Sequence, residues 1–230
     1  MQTEFARAQM VGQQIRAWDV LDERVLDAMR RTPREFFVPE RYAGLAFADT
    51  DIPLAPGQHM LPPKIVGRLL QALDAAPGMR ALVVGCGTGF VPACLSAMGA
   101  SVRAIEILPE LAETARRNLK RAGFGQVEVV AGDTFKLDTG RDYAVIAVCG
   151  SLPLYDERFA RALAVGGRLF EPGQGSRIKG EVWGGYMQQT YSGAGMQQIS
   201  TYTFGGSLAF LVAQNVTAVW EGRREARKPR

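Results

Sequence analysis

The sequence predicts an α/β protein with a central, mostly parallel sheet and helices on both faces. Along residues 79–172, short apolar segments alternate with amphipathic ones, a pattern typical of strand–helix–strand units. Glycines or acids follow several of the apolar segments, and ligands of such sheets bind at the carboxyl ends of the strands. The predicted strands are 80–84, 102–106, 127–130, 143–149 and 167–171, and the predicted helices are 90–98, 109–122 and 155–163.

The flanking segments complete one predicted domain, residues 1–222, because 230 residues suit a single core. Residues 1–75 are predicted to be helical apart from a loop, Ala48 to Pro63, that folds over the glycine-rich stretch at residues 85–89; we call this loop the lid segment. Residues 76–172 are predicted to form the ligand-binding core. Residues 173–222 are predicted to add antiparallel strands, at 182–191, 197–204 and 208–212, with a turn at 192–195.

Composition and charge exclude several function classes. The net charge of +4 equals the excess of five basic residues over one acid in the tail, residues 223–230, so the rest of the chain is neutral. A neutral body argues against nucleic-acid binding. No apolar run reaches the roughly 20 residues of a membrane span, and the first residues lack a signal-peptide core, which favours a cytoplasmic protein. Three cysteines and one histidine show no metal-ligand spacing, so we expect no metal.

A glycine-rich turn follows the first strand of the core. Residues 81–84 are apolar and lead into Gly85-Cys86-Gly87-Thr88-Gly89. Glycine tolerates positive φ and lets the backbone approach a ligand closely. The dinucleotide pattern G-x-G-x-x-G does not fit, because Phe90 stands where its last glycine would be.

Acids follow the next two strands. Glu106 ends the second strand and is suited to accept hydrogen bonds from both hydroxyls of a ribose. Asp133 follows the third strand and is suited to bind an adenine amino group. The sequence therefore predicts a nucleoside cofactor bound by these residues and their neighbours: Gly85, Cys86, Gly87, Gly89, Glu106, Ile107, Asp133 and Thr134.

These elements, in this order, resemble class I S-adenosylmethionine-dependent methyltransferases. Five upstream segments resemble the protein-L-isoaspartate O-methyltransferase family: residues 10–16, 22–29, 32–39 (TPREFFVP), 51–54 (DIPL) and 56–58 (PGQ). The last two lie in the lid segment, which we therefore expect to determine the specificity for the methyl acceptor. The resemblance runs from about residue 10 to about residue 172. It implies a Rossmann-like class I methyltransferase fold, S-adenosylmethionine as cofactor, and methyl transfer to isoaspartyl carboxylates in damaged proteins.

Two positions depart from the family pattern. Leu61 stands where the family has its active-site serine, and Val83 stands where the family has an acid on the first strand. Leucine can neither donate nor accept a hydrogen bond, so we expect isoaspartyl activity to be weak or absent. Two alternatives stay open: a class I methyltransferase with a different acceptor, for example a small molecule, and a catalytically impaired protein that binds the cofactor or acts as an interaction module.

Two side chains are candidate catalytic residues. His59 is the only histidine of the chain and follows the family's Gly-Gln pair, so it is a candidate base or substrate contact. The alternative interpretation is that His59 only packs against its neighbours or lies at the surface. Ser151 follows the fourth strand and either faces the acceptor or caps a turn. An acceptor carboxylate is already ionised at neutral pH and requires no base. The sequence leaves the oligomeric state open.

Overall fold

The computed structural model describes residues 2–55, 57–150, 156–172, 183–191 and 197–205. Its helices are α1 (Gln2–Gln9), α2 (Glu23–Arg31), α3 (Pro63–Leu73), α4 (Phe90–Ala97), α5 (Pro109–Arg121) and α6 (Glu157–Arg161). A π-helical turn at Met10–Ile15 and a 3-10 turn at Arg16–Trp18 follow α1. None of the helices in these ranges is long and apolar enough to cross a membrane.

The main sheet has seven strands, and its order confirms the predicted fold class. Strands β1 (Ile52–Pro53) and β2 (His59–Met60) form a separate two-stranded sheet. The strands of the main sheet are β3 (Arg80–Val84), β4 (Ser101–Glu106), β5 (Glu128–Ala131), β6 (Tyr143–Val148), β7 (Leu163–Pro172), β8 (Trp183–Tyr191) and β9 (Gln197–Gly205). Their order is β5-β4-β3-β6-β7-β8-β9; the first five are parallel, and β8 and β9 are antiparallel. The predicted turn at 192–195, the strand at 208–212 and the tail at 223–230 lie outside the described residues.

Packing on both faces of the sheet follows from the alternation of side chains along β3. Ala81 and Val83 join a large buried cluster that includes side chains of α2, α3, α4 and α5. Leu82 and Val84 join a second cluster on the opposite face, with Phe159 of α6. The helices therefore cover both faces, as the sequence predicts.

Helix boundaries follow from local capping. Asp22 precedes α2 and accepts a hydrogen bond from the Arg24 amide at 2.9 Å. Asp156 caps α6 through the Arg158 amide at 2.9 Å. These side chains satisfy helix N–H groups that have no partner within the helix. Helix α6 (Glu157–Arg161) is shorter than the predicted helix 155–163, because β7 already begins at Leu163. The register between β7 and β6 shifts near this start.

The lid segment differs from the predicted loop in containing a small hairpin. Strands β1 (Ile52–Pro53) and β2 (His59–Met60) pair antiparallel. The Leu54 amide donates to the Gln58 carbonyl oxygen at 2.9 Å, and Gly57 turns the chain at φ +72°. Strands of two residues are too short to leave a periodic pattern in the sequence.

Candidate functional site

Three glycines shape the turn between β3 and α4. Gly85, Gly87 and Gly89 have φ values of +73°, +56° and +98°, a region that favours glycine. A Cβ atom at Gly85 would lie 2.7 Å from the Gly150 nitrogen, so the turn and the chain after β6 approach each other closely. The Gly85 and Cys86 amides both donate to the Ile105 carbonyl oxygen. The glycines are thus required for the shape of this turn.

Glu106 connects the glycine turn to the end of β4. The residue is only 4% exposed. One carboxylate oxygen accepts from the Gly87 amide at 2.8 Å, and the other accepts from the Leu108 amide at 3.1 Å. Each oxygen keeps a second lone pair. The carboxylate is therefore fixed beside the turn and can still accept hydrogen bonds from two ribose hydroxyls.

The other predicted cofactor residues lie at the same edge of the sheet. Ile107 follows Glu106 directly and is 60% exposed, which suits packing against the flat face of a base. Asp133 lies one strand further on, where its carboxylate accepts from the Phe135 amide at 2.9 Å. Thr134 is buried, and its hydroxyl has no hydrogen-bond partner among the described residues. The main chain links the two strand ends, since the Gly132 amide donates to the Glu106 carbonyl oxygen.

The lid segment lies against the glycine turn, where the sequence predicts it. A Cβ atom at Gly87 would lie 3.2 Å from Leu54, so a side chain there would crowd the lid. The two segments together line a cavity of about 40 Å³. Its walls are mainly apolar or sulfur-containing: Leu54, His59, Met60, Leu61, Val66, Gly85, Cys86, Gly87, Thr88, Phe90, Val91 and Cys149.

The structure describes one of the two candidate catalytic residues. His59 lines the cavity from β2 and is exposed. Ser151 lies outside the described residues. Leu61 also lines the cavity, so an apolar side chain occupies the position where the family pattern has a hydroxyl. Val83 is fully buried in the core of the sheet and does not line the cavity.

The thiols beside the cavity are neutral at physiological pH. Burial raises the pKa of Cys149 to about 12, and the Glu106 carboxylate adds to the effect. The same two causes hold the pKa of Cys86 well above its usual range. Neither sulfur is therefore present as a thiolate, the nucleophilic form. Within the described ranges, no group of three or more His, Cys, Asp or Glu side chains is placed to hold a metal ion.

The sequence analysis missed the contact of Leu54 with the glycine turn and the burial of Arg34. Arg34 is fully buried and donates to the carbonyl oxygens of Ala46 and Leu61. No sequence pattern predicts the Leu54 contact, because it joins residues far apart in the chain. The only signal for Arg34 is its place in the family-like segment 32–39.

Comparison with known proteins identifies the family. The sequence model described as protein-L-isoaspartate(D-aspartate) O-methyltransferase matches residues 6–180. The chain belongs to this family. Membership confirms the predicted class, an S-adenosylmethionine-dependent O-methyltransferase, and with it the predicted cofactor.

Individual relatives agree with this result. A protein-L-isoaspartate O-methyltransferase of Aeropyrum pernix is 44% identical over 172 residues, which cover 73% of this chain and 66% of the relative. One from Koribacter versatilis is 40% identical over 173 residues, covering 74% of this chain and 78% of the relative.

Solved structures support the fold. A structure of a protein-L-isoaspartate O-methyltransferase aligns with a TM-score of 0.71 at 22% identity, covering 92% of this chain and 69% of that one. A putative Plasmodium falciparum member, solved with S-adenosyl-L-homocysteine, aligns with a TM-score of 0.68 at 18% identity, covering 85% of this chain and 94% of that one.

Proposed function

We propose that this protein transfers a methyl group from S-adenosylmethionine to the carboxylate of an isoaspartyl residue in a protein or peptide. The observation that carries the proposal is the family match over residues 6–180, which includes both the glycine turn and the lid segment. The geometry adds support, since these two segments enclose one cavity.

The residues at the strand ends fit the cofactor. The glycine turn leaves no side chain between the backbone and a ligand, and Glu106 holds a carboxylate beside it. In this proposal Glu106 accepts from the ribose hydroxyls, while Ile107 packs on the adenine. Asp133 accepts from the adenine amino group, and Thr134 offers its unpartnered hydroxyl nearby. Gly85 to Gly89 approach the methionine portion with their main chain.

When bound, the cofactor supplies a methyl group on a positively charged sulfur. The acceptor carboxylate attacks the methyl carbon, the carbon–sulfur bond breaks, and the products are a methyl ester and a thioether. This displacement needs alignment and exclusion of water rather than a base. Leu54, Met60 and Leu61 provide apolar walls that exclude water, and the buried thiols remain protonated.

The apolar lining favours a second candidate acceptor. Leu61 gives an incoming carboxylate no hydrogen-bond donor, and desolvating a carboxylate without a partner is costly. We therefore expect slow isoaspartyl turnover. A less polar, small acceptor would meet no such cost, so a class I methyltransferase acting on such a molecule is the alternative.

Matched peptides test the proposal. Purified protein is incubated with methyl-labelled S-adenosylmethionine and two peptides of identical sequence, one with isoaspartate and one with aspartate. We expect slow labelling of the isoaspartyl peptide, and labelling of the aspartyl peptide at background level. Equal labelling of both peptides, or labelling only of small acceptors in a parallel panel, would contradict the isoaspartyl assignment. Glu106→Gln provides the control for transfer by this site.

A further inference from the structure

Arg34 lies between α2 and the lid segment and is the largest fully buried side chain among the described residues. Burial lowers the pKa of its guanidinium to about 10, which leaves it cationic at neutral pH. Within the described part of the chain it forms no ion pair. Asp49, whose charge favours the cationic form, is itself paired with Lys64 at 2.9 Å. A buried charge without an ion pair is costly, so its other contacts must stabilise it.

Those contacts join the two ends of the lid segment. The Arg34 Nε donates to the Ala46 carbonyl oxygen at 3.0 Å, just before the lid begins. Its Nη2 donates to the Leu61 carbonyl oxygen at 2.9 Å, near the end of the lid. One planar group therefore fixes both ends of the segment. Lysine could not replace it, because its single ammonium lacks the planar fork of donors.

The same guanidinium also contacts the helix that follows the glycine turn. It lies over the Phe90 ring, with 4.7 Å between Cζ and the ring centroid. Phe90 is the first residue of α4 and lines the cavity together with Leu61. The position of Leu61 relative to the glycine turn is thus set through Arg34.

We propose that Arg34 is a positioning residue for methyl transfer: it holds both ends of the lid so that Leu54, His59 and Leu61 face the methyl group. This inference rests on the proposed function. It assigns Arg34 no contact with substrate or cofactor, so its replacement affects the reaction through the lid. The residues at the opposite end of the cofactor site, Glu106 and Asp133, keep their own contacts.

The test compares Arg34→Lys with a matched control, Tyr143→Phe. Tyr143 is 1% exposed and donates to the Thr139 carbonyl oxygen at 2.6 Å, in the cluster on the opposite face of the sheet. Each variant loses buried hydrogen bonding, but only Arg34→Lys touches the lid. Hydrogen exchange is followed at the Leu54 and Gln58 amides, which are bonded within the lid hairpin.

We expect exchange at both lid amides to be at least tenfold faster in Arg34→Lys than in wild type or Tyr143→Phe. The kcat for the isoaspartyl peptide should fall about tenfold, while the KM for S-adenosylmethionine changes less than threefold. Lid exchange equal to that of the control would overturn the proposal. So would a kcat that falls only in proportion to the folded fraction.

A second variant and a second readout keep the test decisive. If Arg34→Lys does not fold, Phe90→Leu replaces it, since that change retains the guanidinium and removes the ring beneath it. Faster lid exchange than in Tyr143→Phe is again expected, and unchanged exchange counts against the proposal. If the wild-type protein shows no methyl transfer, the proposed function fails, and the exchange measurements still decide whether Arg34 holds the lid.

Discussion

Replacing Glu106 by glutamine should weaken cofactor binding strongly with little change of shape. The wild-type carboxylate already accepts from the Gly87 and Leu108 amides, and we assign two ribose hydroxyls to its remaining lone pairs. Glutamine keeps one acceptor oxygen but has no charge, and its amide nitrogen cannot accept. Glutamine leaves one of the two main-chain N–H groups without an acceptor and alanine leaves both, each at a cost of about 1–3 kcal/mol, so alanine is the less specific change.

The magnitude follows from the hydrogen bonds lost. Loss of charge-assisted bonding to the ribose should cost about 1.5–3 kcal/mol of binding free energy. Since 1.4 kcal/mol corresponds to a factor of ten, the Kd should rise roughly tenfold to a hundredfold. The assay is calorimetric titration with S-adenosylhomocysteine, with circular dichroism to confirm folding.

Glu110→Gln provides the matched control. Glu110 lies in the first turn of α5, four residues after Glu106, and is exposed. Its replacement should leave the Kd within twofold of wild type. A folded Glu106→Gln protein that binds as tightly as Glu110→Gln would refute the ribose assignment.

Three other variants test the lid segment and the ion pairs that Asp74 forms with Arg24 and Arg168. His59→Ala should lower turnover several-fold and leave the Kd for S-adenosylhomocysteine within twofold, because we assign His59 a contact with the acceptor from the cavity wall and none with the cofactor. Unchanged turnover would make it a surface histidine. Leu61→Ser should raise isoaspartyl turnover several-fold and cost about 1–3 kcal/mol of stability in urea melts; equal or lower turnover contradicts the role given to Leu61. Asp74→Asn should lower the free energy of unfolding at pH 7 by less than about 1 kcal/mol, a difference that disappears at low pH.

The sign of the Asp74 effect follows from its pKa. Burial acts to raise the pKa of this carboxyl, but hydrogen bonds and charge from Arg24 and Arg168 hold it below its usual value. Its contribution is therefore complete above about pH 4, the unfolded value, and is lost as pH falls through the lower folded value. Asparagine is the suitable replacement because Asp74 has φ +51°, which asparagine tolerates. Denaturation at several pH values measures the difference.

The sequence predicted the parallel core well, because buried strands leave clear apolar runs. The predicted strand at 80–84 begins and ends at the same residues as β3. The glycines after it have the positive φ values that the pattern requires. Glu106 was found for the same reason, since a strand end fixes where its side chain points. The cofactor roles given to these residues remain predictions.

The lid could be placed but not described from the sequence. Its hairpin has two residues per strand and depends on Leu54 packing against Gly87, a contact between distant parts of the chain. Arg34 was also missed as a buried residue, because arginine is mostly exposed in proteins. Its burial is stabilised by two carbonyl oxygens that only folding brings together. Long-range polar contacts of this kind leave no periodic signal.

The chemical nature of the methylated product tests the central claim most directly. A carboxyl methyl ester is hydrolysed by mild alkali, whereas a methyl group on nitrogen or sulfur is not. After incubation with methyl-labelled S-adenosylmethionine and the isoaspartyl peptide, the account predicts that alkali releases the label from the peptide as volatile methanol. Label that stays on the peptide after alkali, or no label in either the peptide or the methanol fraction, would contradict carboxyl methylation by this protein.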